Sequence, residues 1–306
     1  MVSIPEIISE KDLKFTFTYV ASNTWGVSWT EDVDKIGKLG EVTITNGMPN
    51  VNYADSEECD VGERTKSILT DFNSYITKSI EYILANPITN KSVLSAPISE
   101  ESAAVLKEMY RKLVAAIYYK YCTMDEVSDV TVDRAKKLTI RCLEWLDSTD
   151  FYYAPGSTVY HDAEPCGLLR HSLRVVNKMT ELIKIPTFSM INPCDAYLVA
   201  LVHDWCKINF YEQYMRNVKN EETGVWEKVP SYRCNGSNLP FGHGVTSMFM
   251  AQKFFKLTTE QALAIRWHMG RWNTAEKELV DLCNAEETYP MIHLLQFADQ
   301  LAAAKY

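Results

Sequence analysis

Several features that would announce a function are missing from this chain. None of its eight cysteines stand as C-x-x-C, the spacing that holds zinc in knuckles and ribbons, so a structural zinc knuckle is not expected. No apolar run approaches the roughly 18 residues that a membrane-spanning helix needs, so no membrane partner is expected. The opening MVSIPEIISEKD has neither a basic start nor an apolar core. No secretory leader is therefore expected, and the simplest location is cytoplasmic, with reduced thiols. Excess positive charge is lacking too: 31 Lys and Arg stand against 40 Asp and Glu, for a net charge of −9. That argues against a surface that coats nucleic acid and leaves room only for a local basic groove. There is no internal repeat and no low-complexity tract. Histidine is scarce, with six in all, and none occurs before residue 161.

What is present suits a globular protein. The 306 residues, 46% of them apolar and 23% charged, are enough for one large domain or two ordinary ones. Near the start, Leu13 to Tyr19 alternates apolar and polar residues like a half-buried strand. Glu41–Thr45, Asn46-Gly47 and the stretch to Tyr53 read as a hairpin, since Asn-Gly tolerates the positive φ that a two-residue turn requires. From Thr65 the apolar spacing becomes helical until Asn86-Pro87 stops it. Ser99 is a good N-cap for a helix to about Cys122, with Glu100 and Glu101 in its first turn. Further helices are expected at about 132–146, 167–184, 195–206, 244–256, 259–269 and 288–304. Thr258 and Gln261 fit a capping box. Tyr214 to Tyr232, around Thr223-Gly224, reads as an inserted hairpin. The expected fold is mainly α. A small α+β region of unassigned role at 1–96 precedes an all-helical domain at 97–306, with the hairpin inserted at about 214–232.

The histidine-bearing half carries the chemistry. His171, the doublet His203-Asp204, and Asp299 lie on or beside predicted helices, which are rigid supports for metal ligands. Neighbours 203 and 204 sit about 100° apart on a helix, so they can straddle one metal or bridge two. Asp299, in an apolar and Ala-rich helix, needs an interior polar partner. Lys207, four residues after His203, would share its face. His293 would point away from Asp299 and is read as structural. Cys206 has no partner in view that would lower its pKa and is read as a packing residue, not a nucleophile.

These positions resemble the ligand set of the HD-domain superfamily of metal-dependent phosphohydrolases. Gly167-Leu-Leu-Arg-His171-Ser-Leu is similar to the GGLLEHS/T box of bacterial HD-type 3′→5′ exoribonucleases and relatives, and Leu201-Val-His203-Asp204-Trp-Cys-Lys207 to their LLHDIGK box. Ala154 to His161 resembles the stretch that precedes the first ligand. The likeness covers about residues 145–304; one departure is Cys166, where the family usually has glycine.

The resemblance implies more than the spacing shows. Binuclear HD proteins have two further histidines where this chain has His243 and His268. Four His and two Asp would then hold two divalent ions, with Asp204 as the bridging ligand. A mixed N/O set without thiolate favours Mn, Fe, Co or Ni, with Mg possible. The implied reaction is hydrolysis of a phosphate ester by metal-activated water. The implied substrate is a nucleotide or a short single-stranded nucleic-acid end. Asp204 and Lys207 are the expected catalytic residues. Lys207, His161, Arg170 and Arg266 are candidate substrate contacts, with Arg271 a further phosphate-binding candidate. Two alternatives stand beside this reading: a di-iron HD oxygenase, and a non-catalytic nucleotide-binding or regulatory HD module. The sequence leaves the oligomeric state open.

Overall fold

A computed structural model describes residues 7–10, 13–21, 24–32, 35–45, 48–53, 77, 80–125, 129–236 and 240–304. The first strands are β1 (Ile7–Glu10), β2 (Leu13–Ala21), β3 (Thr24–Asp32), β4 (Lys35–Thr45) and β5 (Met48–Tyr53), an antiparallel sheet in sequence order. The expected hairpin is there: Thr45 pairs with Met48, which leaves a two-residue connection. The two turn residues, 46 and 47, and most of the helix expected from Thr65 lie outside the described residues. That helix's final turns end at Ala85, just before Asn86-Pro87.

Helices follow. Helix α1 (Glu100–Cys122) starts on Ser99, whose hydroxyl accepts from the Ser102 backbone N–H in a reciprocal capping box. Next come α2 (Asp129–Asp147), α3 (Gly167–Leu182), α4 (Pro193–Val202), α5 (His243–Gln252), α6 (Thr259–Trp267), α7 (Leu279–Thr288) and α8 (Pro290–Ala303). The hairpin is β6 (Tyr211–Lys219) and β7 (Trp226–Cys234), a few residues longer at each end than expected. Helix α7 went unforeseen. Among the described residues no helix is long and apolar enough to cross a membrane.

Helix α4 lies at the centre. From Cys194 to Val202 all its residues except Asp195 are buried, so it is apolar all round, as a core helix must be. Asn192 caps it and Pro193 fills the first turn, where an N–H would be unsatisfied anyway. It packs between α1, α3, α6 and α8.

Helix α4 stops four residues earlier than expected. His203 is its C-cap, Asp204 leaves the helical region at φ −107°, and Trp205–Lys207 forms a short 3-10 turn. The cause is distant in sequence. The Tyr110 hydroxyl of α1 donates to the Leu201 carbonyl at 2.9 Å and accepts from Trp205 Nε1 at 3.0 Å. One side chain thus satisfies a helix-end carbonyl and the indole that follows. The Cys206 N–H donates to Ser247 Oγ of α5 at 3.0 Å, which fixes the next step. Tyr110→Phe should therefore destabilise the chain by about 1–3 kcal/mol, since it leaves two buried polar groups unpaired. Urea unfolding measures this, and an unchanged midpoint would show that the hydroxyl does not hold this corner.

Candidate metal centre

Five elements converge on Asp204. His171 projects from α3 and Asp299 from α8, two helices packed side by side. His171 Nε2 lies 2.9 Å from Asp299 Oδ1 and 3.3 Å from His203 Nε2. Asp204 Oδ2 is 3.4 Å from His203 Nε2 and 3.6 Å from His171 Nε2. The other carboxylate oxygen turns the opposite way: Asp204 Oδ1 is 2.8 Å from His243 Nε2 and 3.6 Å from His268 Nε2. The two oxygens of one carboxylate thus serve two groups of histidines. All of these except His243 and Asp299 are almost fully buried.

The ring orientations come from helix ends. His203 and His268 are the C-caps of α4 and α6. Each donates Nδ1–H to the carbonyl three residues before it, Ala200 at 2.8 Å and Ile265 at 2.7 Å. That engages Nδ1 and turns Nε2 toward Asp204, the arrangement metal-ligating histidines use. His243 opens α5 after Gly242, whose φ of +86° suits glycine.

The spacing of the donors suits an ion. Atoms bound to one ion at about 2.0–2.2 Å lie roughly 3–4 Å apart around it, the range found here. His268 Nε2 is buried and has no hydrogen-bond partner among the described residues, which is costly unless something else fills that role. Groupings with metal-ligand spacing include His171, His203 and Asp299; His203, Asp204 and His268; and Asp204, Cys206 and His243. The last adds a sulfur to the N/O set read from the sequence: Cys206 Sγ lies 3.3 Å from His243 Nδ1.

Electrostatics follow from this crowding. Burial alone would raise the Asp204 carboxyl, but Lys207 and then His203 hold it well below the usual carboxylate range. Burial likewise opposes the lowering of Asp299, which His171 brings about. Burial lowers His171 and His268. Against burial, Asp204 raises His203. Against burial, Cys206 and Asp204 push His243 up to about 10.

Lys207 requires a correction. Because α4 ends at Val202, Lys207 does not follow His203 along a helix face. Its ammonium folds back onto Asp204 Oδ2 at 2.7 Å and donates to the Gly156 carbonyl at 2.6 Å. Arg170 requires another. Its guanidinium donates to Asp162 at 2.6 Å, to Glu164 and to the Ala96 carbonyl, so its donors are engaged in holding the loop before α3 rather than kept for substrate. Arg174 binds the same Asp162, at 3.0 Å. At Gly167 an added Cβ would meet the Asp162 carbonyl at 1.9 Å, so only glycine lets the loop lie this close. Cys166, just before it, takes φ +64°, a backbone shape that glycine adopts most readily. Arg266 pairs with Glu278 at 3.0 Å and lies over the Trp267 ring, and Arg271 reaches Cys283. His161 does arrive beside the site, its ring 4.6 Å from that of His171. His293 stacks on Phe297, in keeping with a structural part.

A cavity of about 440 Å³ adjoins the centre, with Lys207, His243 and Cys206 on one wall and Phe210, Met269 and Trp272 on others. Trp272 is 89% exposed at its rim. The base of the hairpin stands close by: burial raises the Tyr211 hydroxyl to about 12 against the pull of Lys207. Most of the hairpin beyond is solvent-exposed.

The fold and centre together define an all-helical domain with buried His/Asp groups able to hold metal. Residues 168–304 match the family model of the HD domain, and this match supports the HD-domain superfamily for the chain. HD domains bind divalent metals and are commonly metal-dependent hydrolases. No curated protein and no solved structure matches the chain.

Proposed function

We propose that this chain is a metal-dependent phosphohydrolase acting on a phosphate ester of a nucleotide or of an oligonucleotide end. His171, His203, Asp204 and Asp299 would hold one ion, and Asp204, His243 and His268 a second. The observation that carries the reading is the division of Asp204, with Oδ2 toward His171 and His203 and Oδ1 toward His243 and His268. When bound, such ions polarise a phosphoryl oxygen and lower the pKa of a water nucleophile. The residues do the rest. Asp204 keeps its charge and fixes the spacing of the two groups. Lys207 has three N–H donors. Two are used by Asp204 and Gly156, and the third is available toward the cavity that Lys207 lines. It can meet the charge that grows on a phosphoryl oxygen. The aromatic wall of the cavity suits the leaving group, and the nucleotide assignment also draws on the likeness of the 167–173 and 201–207 boxes to HD-type exoribonucleases.

Elemental analysis tests this reading, followed by phosphate-release and nuclease assays with Mn²⁺, Fe²⁺, Co²⁺, Ni²⁺ and Mg²⁺. Hydrolysis that depends on added metal is expected. Bound iron with O₂ uptake and no phosphate released would overturn it in favour of oxidation. For the second ion, His268→Ala should lower metal content from two per chain toward one. A wild-type chain that saturates at one ion would show His243 and His268 to be substrate or support residues.

A further inference from the structure

Three of the histidines around Asp204 have a defined partner for Nδ1. For His203 and His268 it is the backbone carbonyl three residues back, which no side-chain replacement can remove. For His243 it is a side chain, Cys206, with Sγ 3.3 Å from Nδ1, while Nε2 faces Asp204 Oδ1 at 2.8 Å. His243 begins a helix and so has no carbonyl one turn behind it to accept this proton. A second observation points to a ligand here: His268 Nε2, buried and unpartnered among the described residues, is aimed at the same Asp204 oxygen. Both Cys206 and His243 line the cavity, so the pair is open to small solutes. The LLHDIGK box that this stretch resembles has glycine at the place of Cys206, so the contact is a property of this chain.

We propose that Cys206 is a positioning residue for the second metal position: its sulfur accepts the Nδ1–H of His243 and thereby presents Nε2 for coordination beside Asp204. This rests on the reading of the centre as a two-ion site. A metal-ligating imidazole needs its other N–H engaged, which fixes the ring and raises the basicity of the ligating nitrogen. Sulfur is a weaker acceptor than a carbonyl oxygen, so this arm of the site depends on one side chain where the others depend on backbone. The sulfur is not itself a ligand in this proposal: it meets the ring at Nδ1, while the nitrogen that faces Asp204 is Nε2.

The test is titration of metal-stripped wild type, Cys206→Ala, Cys206→Val and Cys206→Ser with Co²⁺. The visible spectrum and chelator competition follow each ion, and far-UV circular dichroism confirms folding. Wild type should take two ions. In Cys206→Ala and Cys206→Val the first ion should bind as before and the second about 10- to 100-fold more weakly. Cys206→Ser, which restores an acceptor, should recover most of that loss. A packing role would instead rank the variants by volume, with Cys206→Val close to wild type, and that order overturns the proposal. So does a full-affinity second ion in Cys206→Ala. A near-ultraviolet sulfur-to-cobalt band that vanishes in Cys206→Ser would make the sulfur a ligand and overturn it in another way. Wild type that takes up no second Co²⁺ removes the two-ion reading, and this proposal with it, before any variant is compared.

Discussion

Asp204→Ala should abolish hydrolysis of phosphate esters and bound metal together, while far-UV circular dichroism still reports a helical protein. Among the described residues the carboxylate faces both sets of histidines, so its removal takes charge and geometry from both proposed ion positions at once. It also leaves Lys207, paired at 2.7 Å in the intact chain, as a buried cation without its counter-charge. Breaking a buried pair from one side typically costs about 3–5 kcal/mol, so a lower melting temperature should accompany the loss. Asp204→Asn keeps the size but turns one acceptor oxygen into an amide donor and removes the charge, and it should be as inactive and as metal-poor as the alanine variant. Near-normal turnover with full metal occupancy in either variant would sink the assignment of the centre.

Lys207→Met should separate chemistry from metal binding. The ammonium competes with any cation for Asp204 Oδ2, so its removal should leave metal affinity unchanged or tighter. The rate should fall by about 10²-fold, the loss that follows removal of one donor to a developing oxyanion. The fall should appear in kcat more than in KM if the contact strengthens as charge develops. A variant that turns over substrate at the parental rate would limit Lys207 to neutralising Asp204. Arg170 could not then replace it, since Asp162 and Glu164 hold its guanidinium.

The sequence showed the parts of this centre that depend on local pattern. Asp299 could be read because it is an acidic residue in an apolar, Ala-rich helix, His171 because it stands in the recognisable box at 167–173, and Ser99 and Thr258 because capping is a matter of three or four residues. The end of α4 could not be read. Val202-His203-Asp204-Trp205-Cys206-Lys207 contains neither glycine nor proline, and nothing within it stops a helix. The stop comes from Tyr110, which lies 91 residues before the carbonyl it binds. The fold of Lys207 onto Asp204 follows from that stop. The contact of Cys206 with His243 could not be read for a similar reason, since the two are 37 positions apart. Arg170 has its main partner only eight positions back, but across a loop whose path no periodicity describes. Helix α7 is short, and only Leu282 and Ala285 in it are buried, too few to mark a face.

The hairpin has a consequence for how the chain can vary. It leaves the domain just after Lys207 and returns shortly before His243, two residues that meet at Asp204. Its two ends are tied together where it leaves, by Tyr211 opposite Cys234 and by the Asn235 N–H on the Phe210 carbonyl at 2.9 Å. What lies beyond that clasp hangs outside the helical frame, so its length and composition are uncoupled from the distance between Lys207 and His243. It is a place where the chain can be lengthened, shortened or given a new appendage with Lys207 and His243 left in register, because closing a longer surface loop adds little entropic cost.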